Sequence, residues 1–453
     1  MTSETIDAPG AAPTRTFFGQ PMGLAYLAFT EAWERFSYYG MTALLVLYMS
    51  QSLLLPGHVE QIAGFVGFRG WLEGMFGPMT PLALASQIYG LYTGFVYFTP
   101  VFGGWIADRW LGRRVAVALG AILMSAGHIA MAFDQSFLLA LVLLIVGCGF
   151  LKGNISAQVG GLYPQDDAEG RTRAFAIFSM SINVGAMVGP LACGFLAQVY
   201  GWHAGFGLAG VLMLIGLATY LAGYRHLPEQ GPRHAPEVQA PLTPHQWRVV
   251  AGLSLVMALT IFQSIIYYQN SNIALVWIDK AVDLNLLGFH VPVAWFNSID
   301  PFASIVFVPI LLTFWSRQAK RGREPGEIGK IAIGALIAAV ANLCLVLACL
   351  TGPRSSALFP IAYDLLLGVA FLYYWPPVLA LVSRAAPPQL KSTLMGSVFL
   401  TLFIGNLIVG RIGSLYEQMT PIGFWGLQVA IGLTGAALSL LLKRPLEKLL
   451  RPA

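Results

Sequence analysis

Charged side chains are scarce in this sequence. They make up 10% of the 453 residues, whereas a soluble globular chain carries about 25%. Together with 57% hydrophobic residues, this excludes a solvated domain and indicates a chain that crosses a bilayer many times. Cysteine is also rare. Cys148, Cys193, Cys344 and Cys349 all lie in apolar runs. They show neither CxxC nor Cys/His spacing, so no disulfide framework and no metal site is expected. There is no phosphate-binding loop, no nucleophile elbow and no HExxH. No catalytic residues are expected, and the chain does not read as an enzyme. The formal net charge of +5 is accounted for by basic loops on one side of a membrane, with no nucleic-acid partner.

What the sequence has is apolar runs of membrane-spanning length, about 20 residues each. Twelve are expected, near 22–52, 82–106, 113–133, 136–162, 173–198, 203–224, 247–277, 291–315, 328–350, 357–383, 390–414 and 421–442. With the N-terminus inside, Arg69, Lys280, Arg354 and Arg411 fall at the outer side, and Arg35 and Lys152 within the membrane. The other Lys and Arg all fall on cytoplasmic segments, the asymmetry that sets topology. Both termini are therefore expected in the cytoplasm, and the membrane is expected to be a plasma or bacterial inner membrane.

Residues 1–20 are polar and lack the layout of a signal peptide, so they are expected to be a disordered cytoplasmic tail. Residues 225–246 contain five prolines and several charges and read as a cytoplasmic linker. The linker divides the chain into six-helix bundles at 21–224 and 247–443, followed by a tail at 444–453. "GGWIADRWLGRR" (103–114) and "FWSRQAKRGREP" (314–325) occupy matching places in the halves, which suggests an internal duplication. Secondary transporters built this way bind substrate at midplane, between the halves.

The few charges left inside the membrane are the best pointers to function, because burying an unpaired charge there costs about 2.5–3.5 kcal/mol on insertion scales. They are Glu31, Glu34, Arg35, Lys152, Asp300 and Asp364. Glu31, Glu34 and Arg35 are spaced i, i+3, i+4 and share a helix face. One arginine cannot neutralise two carboxylates, so the surplus acid is suited to take up and release a proton. A static buried ion pair is the plainer alternative, but that would need only one acid. Lys152 stands among glycines in "GCGFLKGN" and reads either as a cation for a substrate carboxylate or as a snorkelling interface lysine. Tyr38 and Tyr39 follow Arg35 by one turn and are pocket candidates, with Tyr92 and Tyr97 open between pocket and anchor. Asn154, Gln158 and Asn183 either line the pocket or bridge helices. His128 reads as a satisfied core histidine.

"TFFGQPMGLAYLAFTEAWERFSYYG" (16–40), "GFLKGNISAQVGGLYPQDD" (149–167) and "RAFAIFSMSINVGAMVGP" (173–190) resemble the first-, fourth- and fifth-span motifs of the proton-dependent oligopeptide transporters of the major facilitator superfamily. The resemblance thins in the second half, where "QNSN" (269–272), "PVAWFNSIDP" (292–301) and "AAPPQLKSTLMG" (385–396) still align. It implies an all-α major facilitator fold and symport of di- and tripeptides with protons, working as a monomer, with no cofactor beyond the proton gradient. Carried over by position, Glu31, Glu34 and Arg35 would couple protons, Arg35 and Lys152 would hold the peptide carboxylate, and Tyr38, Tyr39, Tyr97 and Asn183 would line the pocket.

The departures are specific. The family's span-10 glutamate, which meets the peptide amine, aligns near Phe371. An outer-gate arginine and glutamate are replaced by Thr42 and Tyr268, a span-11 tryptophan by Val398 and a span-8 asparagine by Asp300. Asp300, or failing it Asp364, is therefore expected to supply the missing anion. The alternatives are a non-peptide small carboxylate or modified peptide as substrate, and a non-transporting sensor.

Overall fold

The computed structural model describes residues 16–17, 19–164, 167–228, 241–286, 288–352 and 354–450. Most of the expected N-terminal tail and of the 225–246 linker, and the last residues of the chain, lie outside the described residues.

Among the described residues there are fourteen α-helices. In the first half they are α1 (Met22–Tyr48), α2 (Phe65–Phe76), α3 (Pro81–Ile106), α4 (Arg113–Ala130), α5 (Phe137–Gly161), α6 (Ala168–Tyr200) and α7 (Trp202–Gly223). In the second they are α8 (Pro244–Tyr268), α9 (Ile273–Ala281), α10 (Ile299–Lys320), α11 (Glu327–Leu350), α12 (Leu358–Ala385), α13 (Lys391–Gly413) and α14 (Pro421–Leu449). All except α2 and α9 are long, so the twelve expected spans are present as twelve long helices, six on each side of the linker. Helices suit this setting because they satisfy their backbone groups internally. Three two-residue strand pairs complete the inventory, among them a parallel pairing of Val282–Asp283 with Ser355–Ser356.

Ten of the long helices are apolar enough to cross a membrane by composition alone. The other two are α1, which carries three charges, and α3, rich in tyrosine and glycine; both contribute to the central cavity. Several ends differ from the sequence reading. The seventh span breaks at Gln269–Ser271 before α9 resumes. The eighth begins with a 3₁₀ turn, Val293–Ser298, so Asp300 lies in the first turn of α10. The last helix continues beyond 443 to Leu449.

Helix starts follow a local rule. At α3, α8 and α14 a threonine stands before a proline: Thr80–Pro81, Thr243–Pro244 and Thr420–Pro421. The threonine hydroxyl accepts an otherwise unpaired amide of the first turn, and the proline needs no donor at that position.

Glycines set how closely α1 meets α6. A β-carbon at Gly185 would lie 2.4 Å from the carbonyl oxygen of Ala32, and one at Gly189 would lie 2.4 Å from that of Phe36. Only glycine permits this approach, which presses α6 against the turn of α1 that carries Glu31 and Arg35.

Hydrogen bonds join the halves toward the face opposite the termini. Ser86 Oγ donates to Gly410 O, and Asn272 Nδ2 donates to Ser86 Oγ at 2.8 Å. Thr93 Oγ1 donates to Asn406 Oδ1 at 2.9 Å, and Trp295 Nε1 to Leu191 O at 2.9 Å. At the rim, Gln51 Nε2 donates to Asp279 Oδ2 and Thr80 donates to Glu417.

Candidate functional site

A cavity of about 540 Å³ lies between the halves, within the range of roughly 300–1,000 Å³ common for small-molecule sites. The N-terminal half contributes Glu31, Arg35, Tyr38, Tyr39 and Thr42 from α1, Tyr89 and Tyr97 from α3, Lys152 and Ser156 from α5, and Asn183 from α6. The C-terminal half contributes Tyr267 and Tyr268 from α8, Asn270, Ser271 and Asn297 from its breaks, Asp300 and Ser304 from α10, Phe371 and Trp375 from α12, and Phe399 from α13.

The α1 triad is almost wholly enclosed: Glu31 is 2% exposed, Glu34 0% and Arg35 4%. Arg35 Nε donates to Glu31 Oε1 at 2.8 Å and lies 2.6 Å from Glu34 Oε2. A single N–H cannot point at both. Glu31 has the aligned hydrogen bond, and Glu34 is in ion-pair contact without one. Glu31 and Arg35 border the cavity, whereas Glu34 sits behind them in the packed helix wall. The two acids thus share one arginine, with one oxygen of Glu31 left unbonded.

Lys152 takes up the second positive position. Its Nζ lies 4.8 Å from the ring centroid of Tyr38 and 4.5 Å from that of Tyr97, and has no hydrogen-bond partner among the described residues. The rings' negative faces stabilise the ammonium, but all three of its N–H donors are left to find an acceptor. Tyr97 is held in place by Tyr268, whose hydroxyl donates to it across the halves at 2.9 Å. The snorkelling alternative for Lys152 does not describe this arrangement.

Across the cavity Asp300 is the acid of the C-terminal wall. One carboxylate oxygen accepts from Tyr267, and the other, Oδ1, has no partner. Its place in the first turn of α10 adds the favourable end of a helix dipole. The cavity therefore presents the cationic groups Arg35 and Lys152, together with Glu31, on the α1–α5 side and the carboxyl group of Asp300 on the α10 side.

Asp364, the alternative compensating acid, does not border the cavity. It is 1% exposed and sealed within the C-terminal half. Tyr92 is likewise buried behind the wall against Tyr38. Asn154 and Gln158 bridge helices, donating to Gly103 O and Tyr220 Oη. His128 is buried with both ring nitrogens unpaired among the described residues, not satisfied as expected. Tyr267 and Tyr89 were not singled out from the sequence. The pairing of Tyr267 with Asp300 spans 33 positions, and only the fold reveals it. Among the described residues there is no group of three His, Cys, Asp or Glu placed to hold a metal ion.

The sequence pattern of the POT family matches residues 114–243 and 242–426. The transporter YclF of Bacillus subtilis (strain 168) is 30% identical over 97% of this chain and 96% of its own. A di-/tripeptide transporter of Lactococcus lactis subsp. cremoris is 29% identical over 96% of this chain and 98% of its own. Among solved structures, a peptide transporter POT in complex with sulfate superposes with a TM-score of 0.84 at 26% identity, over 97% of this chain and 98% of that one. The backbone arrangement of the helices, their major facilitator fold included, is shared throughout.

Proposed function

This chain belongs to the POT family of membrane transporters and is no enzyme, and from that premise we propose that it is a symporter that imports di- and tripeptides by alternating access, driven by the proton gradient. The observation that carries this reading is the placing of charge in the cavity. Arg35 and the hydrogen-bond-free ammonium of Lys152 stand on one wall and Asp300 on the other. A short peptide is a zwitterion with its carboxylate and ammonium at opposite ends, and it complements such a pair of walls.

In this reading Arg35 and Lys152 receive the carboxylate and Asp300 receives the amine. Tyr38, Tyr39, Tyr97 and Asn183 shape the space between, and Phe371 and Trp375 give it an apolar floor for side chains. Glu31, Glu34 and Arg35 couple the proton. When Glu31 takes a proton its hold on Arg35 weakens, and the guanidinium turns to the substrate carboxylate. When Glu31 loses it, Arg35 is drawn back and the substrate is released. The hydrogen-bonded seam at the face opposite the termini supports an inward-facing state with both termini in the cytoplasm, acting as a monomer. No cofactor is needed beyond the gradient itself.

The second reading is a substrate with a carboxylate but no α-amine. It is favoured by Phe371, which lines the wall with an apolar ring at the place where the resemblance implies an acid.

The test is uptake of labelled dialanine into proteoliposomes with and without an inward proton gradient, for the wild type and Glu31→Gln. Gradient-driven accumulation that the variant loses, while retaining gradient-free exchange, supports the symporter. Absence of accumulation with correctly folded, oriented protein refutes it, and uptake of amine-free acids in the same vesicles would then establish the second reading.

A further inference from the structure

A second cavity, of about 390 Å³, lies between α1 and α6. It arises where these two helices part. Near the middle of the span, Gly185 and Gly189 bring α6 against the carbonyl oxygens of Ala32 and Phe36. Toward the start of α1 that clamp ends. There α1 presents the small side chains of Ala25 and Ala28, with Phe29 along one edge, opposite Ile177, Met180 and Val184 of α6. Alanine fills too little space to close the gap, so a groove remains. It is separate from the central cavity, which α6 borders through Ile182, Asn183 and Ala186. At about 3.6 residues per turn those three are centred on the opposite side of the helix from the groove. Phe29, Ile177, Met180 and Val184 are exposed, and in a chain that spans a bilayer the groove opens to lipid.

The groove has a polar end. Gln20, just before α1, lines it. Its Oε1 accepts from the Tyr163 hydroxyl at 2.7 Å, and its two amide N–H donors have no partner among the described residues. On α6, Arg173 stands one turn before Ile177 on the same face. Its guanidinium donates to Glu169 at 3.0 Å, and both of these side chains are largely exposed. Arg173 opens the stretch of α6 that reads as membrane-spanning, so the pair lies at the level of the lipid head groups. Apolar tails alone would cover this groove as they cover any lipid-facing surface. The polar end adds selection: Arg173 and Gln20 offer N–H donors to a phosphate, and Glu169 offers an acceptor to an ammonium.

We infer that the α1–α6 groove binds one phospholipid with a primary-amine head group, of the phosphatidylethanolamine class. An acyl chain lies between Ala28 and Val184, the phosphate meets Arg173 and Gln20, and the ammonium meets Glu169. The charges at the mouth match such a head group in sign and in order. A purely anionic lipid leaves Glu169 facing like charge, and a quaternary amine has no N–H with which to meet its carboxylate. Seated there, the lipid braces the first turns of α1 against α6, directly beside the turn that carries Glu31 and Arg35. The site does not depend on which solute the central cavity carries.

The test is native mass spectrometry of the full chain released from bilayers of equal parts dioleoyl phosphatidylethanolamine, phosphatidylglycerol and phosphatidylcholine. The wild type should keep one phosphatidylethanolamine at a collision energy that strips the other lipids. Ala25→Phe, which fills the groove, should lose it. Val211→Phe, on an exposed part of α7, should keep it. Arg173→Gln should lose retention, and Glu169→Gln should lose the preference for phosphatidylethanolamine over phosphatidylglycerol. These last two changes lie on the exposed surface, so they decide the matter even if Ala25→Phe does not fold. A wild type that retains no lipid, or an Ala25→Phe or Arg173→Gln variant that retains it as the wild type does, overturns the site. Retention of phosphatidylglycerol or phosphatidylcholine in equal measure, or an unchanged preference in Glu169→Gln, overturns the head-group assignment. Dialanine uptake is read separately, so failure of the peptide reading is distinguishable from failure of the lipid site.

Discussion

Lys152 Nζ stands 4.5 Å from the ring centroid of Tyr97, and the hydroxyl of that tyrosine is held from the other half of the molecule by Tyr268. The cation thus sits beside a contact between the two halves. Anything that draws the ammonium away from the ring also alters a link between them.

Replacing Lys152 with Met removes the free donor and its charge. A hydrogen bond to a charged group is worth about 1.5–3 kcal/mol, so affinity for dialanine should fall by roughly tenfold to a hundredfold. Dialanine amide, which has no carboxylate, should lose much less. The two dissociation constants, measured by calorimetry in detergent, check this; an equal loss for both ligands contradicts the assigned role.

Asp300→Asn keeps the size of the side chain and the contact with Tyr267 but removes the charge. Discrimination between dialanine and its N-acetylated form should collapse, through weaker binding of the free amine and not through stronger binding of the acetylated one. Competition against a labelled dipeptide measures the ratio, and an unchanged ratio assigns the amine site elsewhere.

Gly185→Ala forces α6 off α1, because the new methyl would meet the carbonyl oxygen of Ala32 at 2.4 Å. Overpacking of this kind costs about 1–3 kcal/mol. Gly207→Ala in α7, where a β-carbon meets nothing within 4 Å, serves as the control and should be neutral to stabilising by about 0.5–1 kcal/mol through helix propensity. The thermal unfolding midpoint should fall for Gly185→Ala and stay level or rise for Gly207→Ala.

Glu73, in the short helix α2 outside the spans, accepts from the amide of Met79 at 3.1 Å and from Arg69 Nε at 3.0 Å. The Met79 amide in the first place, and Arg69 after it, hold its carboxyl below the ordinary 4.5. A depressed carboxyl contributes stability above its unfolded value and loses it as pH falls through its folded value. Hydrogen exchange at Met79 should therefore be insensitive to this group near neutral pH and accelerate beyond the intrinsic trend only below pH 4.5. Glu73→Gln should exchange fast throughout.

The span count and the α1 triad were legible in the sequence because lipid allows few patterns. Twenty-residue apolar runs leave little choice of register, and three charges on one face of a span need an enclosed cavity. The positions of the acids in the second half were not legible. Asp364 is seven residues from Phe371, on the same face by helical counting, but that is about 10.5 Å along the axis. At that distance the wall closes, and the acid falls behind Asp300 instead of beside the substrate space. Tyr267 could not be found at all, because its importance comes from Asp300, which chain breaks around Gln269–Ser271 and Val293–Ser298 bring opposite it. Hydropathy alone also passes over α1 and α3, since helices that wall a wet cavity give up the apolar character by which spans are recognised.

The inner part of the seam opposite the termini is made of neutral groups: Ser86, Asn272, Thr93, Asn406 and the indole of Trp295. None of them changes charge near neutral pH. The free energy needed to part that seam is accordingly a constant bias, the same on the acidic and the alkaline side of the membrane. Within the inner seam protons therefore find no handle, so it sets a fixed weight against opening and leaves pH dependence to the acids of the cavity and to Asp279 and Glu417 at the rim.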